Sequence, residues 1–350
     1  MNWFRWVVAG IVVATAGVAP ARAQGQAACD RACLRTMLDQ YLNAVIAHDP
    51  AKAPALLLGF RQTENAISVR PGQGVWKTVT ELGRVQRRFL DPVTGQAGYY
   101  GIVKEGADEA IVTVRLRVEN RKMTEAEWYI ARANDPGLQG PRRAGGPPAN
   151  SFNPDYLSAN PPPERVVPRD KRLTRQELEG IVTSYFDAIT SHDGSVALTH
   201  PGCGRVENGS PTPAGAFLPP LPRAGGAGPA PAGRAGGAAA GPANPAANDC
   251  VAGLQNFSAQ MVVARRIPLI DEEAQTVLAL ALFVRRPNSP TPRNVFSEWF
   301  FIDEQKIRTI YTAMFYPAPE LAVPNWPPYD GNWPLPAGVV PVPAAPAPRP

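Results

Sequence analysis

The chain carries one stretch twice. Tyr41-Leu42-Asn43-Ala44-Val45-Ile46-Ala47-His48-Asp49 returns as Tyr185-Phe186-Asp187-Ala188-Ile189-Thr190-Ser191-His192-Asp193. In each copy an Arg stands 20 residues after the Tyr and opens a short polar cluster, Arg61-Gln62-Thr63-Glu64-Asn65 and then Arg205-Val206-Glu207-Asn208. A repeat on this scale predicts two copies of one domain in tandem. That excludes most single-core architectures for a chain of 350 residues.

The first 23 residues read as a leader. Arg5 precedes an apolar run from Trp6 to Val18, and Ala21-Arg22-Ala23 is a small-x-small cleavage site, so the mature chain is expected to begin at Gln24. The run is short for a membrane span, and Pro20 follows it. The expected location is therefore exported, periplasmic or secreted, with no membrane attachment after cleavage. The net charge is +5, and the leader holds two arginines and no acid, which leaves +3 spread over the mature chain. That gives no basis for a nucleic-acid partner.

Four cysteines, Cys29, Cys33, Cys203 and Cys250, suit an oxidising compartment and allow three pairings. Their positions favour Cys29–Cys33 at the mouth of the first helix and Cys203–Cys250 across a long insertion. The second would close a loop that the chain-entropy model values at roughly 4 kcal/mol. With three histidines in the chain, two at matched repeat positions, no metal site is expected. No cofactor is expected either: the sequence lacks a nucleophile elbow, a His-Glu-x-x-His helix and a dinucleotide fingerprint.

Apolar residues at spacings of three and four predict a helix from Cys29 to Ala47, a short helix over Ala51 to Leu58 and a third from Trp76 to Phe89. Gln62 to Val69 reads as a strand. The period then becomes two, with strands over Gly98 to Lys104, Ala110 to Val118 and Met123 to Arg132. Residues 28–133 thus form a first α+β domain. Residues 134–171 are Pro- and Gly-rich and read as a linker. The second domain spans 172–316 and opens on Thr174 and Glu177, a capping box. Helix is predicted for 254–266, followed by strands over Val277 to Arg285, Asn294 to Asp303 and Lys306 to Tyr316. Residues 210–248 interrupt this domain; 30 of these 39 are Pro, Gly or Ala, too few large side chains to hold a core, so disorder is expected. A Pro-rich tail, 317–350, ends the sequence.

The order helix, short helix, Arg…Glu-Asn cluster, helix and long hairpin strands resembles the NTF2-like superfamily, and its SnoaL-like domains in particular. Cys29-Asp30-Arg31-Ala32-Cys33-Leu34 ahead of the Tyr…His-Asp helix resembles an uncharacterised two-copy family of exported bacterial and fungal proteins. The resemblance implies cone-shaped α+β domains, helices on a curved antiparallel sheet, each with a deep apolar pocket. Such domains serve as isomerases, dehydratases or cyclases, or only bind ligands or dimerise.

Matching Val118-Glu119-Asn120 with Ile302-Asp303-Glu304 sets Val112, Val114, Leu116 and Val118 against Phe296, Glu298, Phe300 and Ile302. Glu298 then faces an apolar cone, where burial would raise its pKa as a general base requires. A one-residue slip would instead send it to solvent or to an arginine such as Arg265. His48 can act as acid or base, but with His192 it more simply ends a helix. Glu64 is a candidate pocket acid of the first domain. Tyr41, Arg61 and Trp76, with Tyr185, Arg205 and Glu207, are candidate ligand contacts, although an ion pair or plain core would use the same residues. Val295, Ser297, Trp299 and Phe301 make the second sheet apolar on both faces, which predicts that it packs on the other domain or on a second chain, as an internal pseudo-dimer or a homodimer. The leading expectation is binding of a small, largely apolar molecule in one or both cones. The alternatives are a cofactor-free isomerase or lyase, and an interaction module without a pocket.

Overall fold

The computed structural model describes residues 29–144, 146, 149–212, 250–285, 291 and 293–317. The leader, most of the Pro/Gly/Ala insertion and all but the first residue of the tail lie outside the described residues.

Two α+β halves follow one plan. The first runs α1 (Arg31–Ile46), β1 (Leu56–Glu64), β2 (Ile67–Ser68), α2 (Val75–Thr78), β3 (Glu81–Asp91), β4 (Gln96–Glu105), β5 (Asp108–Glu119) and β6 (Lys122–Arg132). After α3 (Pro154–Ala159), the second runs α4 (Arg175–Ser191), β7 (Thr199–Glu207), β8 (Ser210–Thr212), β9 (Met261–Asp271), β10 (Thr276–Val284), β11 (Arg293–Asp303) and β12 (Lys306–Phe315). Each half holds a six-stranded sheet, in the orders β2-β1-β6-β5-β4-β3 and β8-β7-β12-β11-β10-β9. In each, the first strand lies parallel to the last and the other neighbours are antiparallel.

The helix ends account for the repeated His-Asp pair. His48 and His192 sit just past their helices in the left-handed region, at φ 55° and 57°. Their Nδ1 atoms bond the carbonyls of Trp76 at 2.6 Å and Leu254 at 2.9 Å. A carbonyl only accepts, so Nδ1 carries the hydrogen. Asp49 and Asp193 then accept from the amides of Ala51 and Ser195 and start a single 3-10 turn. The pair stops the helix and turns the chain toward the sheet.

Three predicted helices are corrected. Ala51 to Leu58 is the turn Pro50–Lys52 followed by the start of β1. Of Trp76 to Phe89 only one turn, α2, is helical, and the rest is β3. Of 254–266 only Leu254–Asn256 is a 3-10 turn, and β9 follows. Bulges explain the error. The β3 register shifts between Leu82 and Gln86, and the β9 register shifts along its pairing with β10, where Ala264 has φ 51°. An inserted residue turns a period of two into spacings of three and four, which imitate a helix. The expected strand Gln62–Val69 is likewise two pieces, β1 and β2, folded at Asn65 and Ala66.

Each sheet buries both faces. On one, α1 sets Leu34, Leu38, Tyr41 and Val45 against Val112, Val114, Leu116 and Trp128; α4 does the same in the second half with Leu178, Val182, Tyr185 and Phe186. The opposite faces pack on each other. Phe89, Tyr100, Ile111 and Tyr129 meet Leu278, Val295, Trp299, Phe301 and Tyr311. The Phe89 and Trp299 rings lie 4.4 Å apart. Gly98 makes room for that indole: a Cβ there would sit 2.4 Å from it. Thr113 accepts from Ser297 Oγ at 2.8 Å and from Trp299 Nε1 at 2.9 Å, which satisfies these two donors inside the seam.

The seam is pinned twice, in reciprocal fashion. Arg31 of α1 reaches Asp271 at the end of β9, at 2.8 and 3.1 Å, and Arg175 of α4 reaches Asp91 at the end of β3, at 2.9 and 2.8 Å. Each aspartate also accepts a backbone amide of the other half: Leu90 N at 2.7 Å and Ile270 N at 3.0 Å. Such mutual contact, residue i to j and j to i, is the signature of a two-fold interface within one chain. A third link is Glu127, fully buried between Arg115 of its own half and Arg266 of the other, the latter at 2.6 Å. The connecting segment joins in. Leu157 of α3 is buried in the seam, Tyr311 Oη donates to the Asn160 carbonyl at 3.1 Å, and Arg165 donates to the carbonyls of Ala274, Gln275 and Ile302.

The structure joins Cys29 to Cys33 and Cys203 to Cys250. Among the described residues no helix is long and apolar enough to cross a membrane.

Two measurements test the seam. Asp271→Asn is expected to cost about 1.5–3 kcal/mol in denaturant unfolding, since it weakens charge-assisted bonds to Arg31 and Leu90. Asp91→Asn should cost a similar amount. Glu127 loses stability to burial, but the charges of Arg115 and Arg266 outweigh this and hold its carboxyl below the ordinary range. A depressed carboxylate stabilises the fold above its unfolded pKa of roughly 4.3, and this contribution is lost as pH falls through the folded value. Glu127→Gln should therefore be less stable than wild type at neutral pH, with the two curves converging in acid.

Candidate functional site

With the hairpins matched 184 residues apart, the polar clusters align differently from the expected Arg-to-Arg match. Gln62 lies opposite Ala126, and Arg205 opposite Ile310, so Gln62 is the structural counterpart of Arg205 and Glu64 that of Glu207. Asn65 and Asn208 confirm the register. Each has positive φ and exchanges two bonds with a backbone, Asn65 with Ile130 and Asn208 with Met314. Arg61 is the counterpart of Gly204 and lies one residue outside the cluster that its sequence spacing suggested.

The space between α1 and the first sheet is filled. Tyr41, Trp76 and Trp128 are buried around Gln62. Gln62 Oε1 accepts from Tyr41 Oη at 3.0 Å and Trp76 Nε1 at 2.8 Å, and Trp128 Nε1 donates to Tyr41 Oη at 2.9 Å. Burial raises the Tyr41 pKa, which suits a neutral hydroxyl in a closed network. Glu64 caps α2, accepting from Val75 N at 2.6 Å. Gly74, at φ 60°, is required there, because a Cβ would overlap the Glu64 carboxylate. Burial lifts the Glu64 pKa, against the pull of the Val75 bond and of Arg132. His48 is exposed and bonded to a carbonyl. These residues form a packed wall.

The space between α4 and the second sheet differs at the positions that fill its counterpart in the first half. Trp128 is replaced by Thr312, Gln62 by Arg205 and Val114 by Glu298. Trp76, whose carbonyl takes the His48 bond, is replaced by Leu254, whose carbonyl takes the His192 bond. Two indoles are lost, and a cleft of about 210 Å³ remains. Tyr185, Ile189, Leu254, Phe257, Phe283 and Met314 give it an apolar wall, and Arg205, Glu207, Arg285 and Tyr316 a polar one. Leu138 and Ala149 to Ser151 of the connecting segment border it.

Arg205 organises the polar wall. It donates to Glu298 Oε1 from Nε at 3.0 Å and from Nη2 at 2.9 Å, and from Nη1 to Glu207 at 2.9 Å and Thr212 at 2.8 Å. Tyr316 Oη donates to Glu207 at 2.6 Å. Burial alone would lower the Arg205 pKa, but Glu298, Tyr185 and Glu207 raise it well above the usual value. Glu298 points to the helix side as the hairpin match required, and its partner is Arg205. Arg265 instead bonds Asp187, Thr190 and the Phe186 carbonyl. Burial raises the Glu298 carboxyl pKa, with Arg205 opposing, and its Oε2 has no hydrogen-bond partner. Glu298 stands behind Arg205, away from the cleft surface.

The structure thus brings together Tyr185, Arg205, Glu207 and Glu298, and keeps Tyr41, Arg61, Glu64, Trp76 and His48 in the other half. Sequence reading missed Arg285 and Tyr316. Aligning the halves on the hairpin would have found Tyr316, which stands where the first half has Arg132. Among the described residues no group of three or more His, Cys, Asp or Glu side chains is placed to hold a metal.

The family model described as Domain of unknown function (DUF8021) matches residues 171–314, which is the second half from the start of α4 almost to the end of β12. No curated protein matches the chain.

Trp128→Thr would recreate the second half's vacancy in the first, without the charges that line it. A loss of about 3–5 kcal/mol is expected in denaturant unfolding, the range for deleting a buried large aromatic.

Proposed function

We propose that this is an exported, disulfide-stapled protein of SnoaL/NTF2-like architecture that binds a small, largely apolar molecule in its second cone. The observation that carries the reading is the contrast between the halves. One scaffold is closed by Trp76 and Trp128; its copy holds Leu254 and Thr312 and keeps a cleft with apolar and charged walls. A concave apolar site with a few converging polar groups is the usual form of a ligand site. The leader-like N-terminus, the two disulfides and a helix laid across a mixed sheet support the rest of the reading.

A second reading, proton transfer by Glu298, draws on its unpaired Oε2 and raised carboxyl pKa. It requires Arg205 to swing aside, because Arg205 separates that carboxylate from the cleft.

Leu254→Trp restores the bulk of Trp76 at its counterpart position. Native mass spectrometry of protein purified from its export compartment, before and after denaturation, is expected to show a retained small molecule in wild type and none in this variant. A molecule held equally by both would place binding elsewhere. Wild type that is empty and takes up no apolar probe would overturn the reading.

A further inference from the structure

Arg285 stands at the cleft without a salt-bridged carboxylate among the described residues. It is 4% exposed and follows β10 directly. Its Nε donates to Ser258 Oγ at 3.1 Å and its Nη1 bonds Asn294 Oδ1, both neutral partners. Its guanidinium lies 5.8 Å from the Phe283 ring centroid and 5.9 Å from that of Tyr316. No carboxylate among the described residues pairs with it. Glu207, the acid on the same wall, is held by Arg205 and Tyr316.

The first half shows how this position is satisfied when the cone is closed. Thr80 N bonds Lys104 O, and Gln260 N bonds Val284 O, so Glu105 is the counterpart of Arg285. Glu105 takes two bonds from Arg132, at 2.6 and 2.8 Å, and one from Thr78. Arg132 is the counterpart of Tyr316, and Thr78 that of Ser258. The closed half therefore carries an acid and a base that neutralise each other. In the open half the acid has become an arginine and the arginine a tyrosine. A buried cation has been gained, and no carboxylate among the described residues contacts it. Burial pushes the Arg285 pKa down, with the more distant pull of Tyr316 and Glu207 too weak to offset it. An uncompensated buried charge is strongly unfavourable, and a carboxylate that pairs with guanidinium relieves it.

We propose that the second cone binds a small amphipathic monocarboxylate, its carboxylate on Arg285 and its apolar body against Leu254, Phe257, Phe283 and Ile189. This rests on the reading of that cone as the ligand site and names the class of ligand. The volume of about 210 Å³ lies below the roughly 300–1,000 Å³ of drug-sized sites, so the ligand is smaller than those.

The test is calorimetry on the full-length protein with both disulfides formed, using phenylacetate and hexanoate beside phenylacetamide and hexanamide. Each acid is expected to bind at least tenfold tighter than its amide. Arg285→Gln should remove that preference, so that each acid binds no tighter than its amide. Asn294→Asp, which places an anion of the protein's own against Arg285, should weaken the acids at least tenfold while the amides hold; it decides the matter if Arg285→Gln fails to fold. Acids and amides binding alike would overturn the carboxylate proposal and leave the pocket reading standing. No binding by any of the four would overturn both. Inorganic phosphate binding as tightly as the acids would reduce the site to a bare anion site and refute the amphipathic ligand.

Discussion

Asp91 and Asp271 fix how the two halves of this protein meet. Each ends a strand in its own sheet, accepts a backbone amide from the other half and holds the first-turn arginine of the other half's long helix. With strand end, helix start and opposing strand tied to one carboxylate, neither sheet can slide along the other without breaking charged bonds. The apolar seam of Phe89, Trp299, Phe301 and Tyr311 supplies the area removed from water, but apolar contact is non-directional. The aspartates supply register.

The halves differ within the seam too, Arg115 against Trp299 and Glu127 against Tyr311, but the differences that open a cleft fall on the helix side of the sheets. There the scaffold is conserved down to individual bonds. The histidine that ends the helix, the asparagine that clamps the last strand and the carboxylate two residues beyond the Gln62 or Arg205 position recur in both halves. Side chains between helix and sheet differ instead: tryptophan against threonine, glutamine against arginine, valine against glutamate. Packing closes one half, and a charged network centred on Arg205 holds the other partly open.

The sequence made the tandem plan legible because a repeated Tyr…His-Asp stretch survives only where both copies need the same helix end. The long hairpins were equally plain, since Val112 to Val118 alternate cleanly and both turns place two residues at positive φ. The strands β3 and β9 were hidden by bulges, whose inserted residues counterfeit a helical period. The polar wall was half legible. Tyr185, Arg205, Glu207 and Glu298 stood out as charge or hydroxyl on apolar faces. Arg285 did not, because its meaning lies in having neutral partners and no paired carboxylate among the described residues, and that is a property of three-dimensional neighbours. The Arg61 to Arg205 match misled because the link between the 3-10 turn and β1 is one residue longer than the link before β7.

The fusion of two copies into one chain has a genetic consequence. In a homodimer of identical subunits every substitution appears twice, so hollowing out a core by exchanging tryptophan for threonine weakens both subunits at once. Here a single codon change reaches one half alone, while the intact copy, pinned to it by Arg31 and Arg175, keeps the shared seam in place. Divergence of one half can proceed against a fixed template that never leaves the molecule.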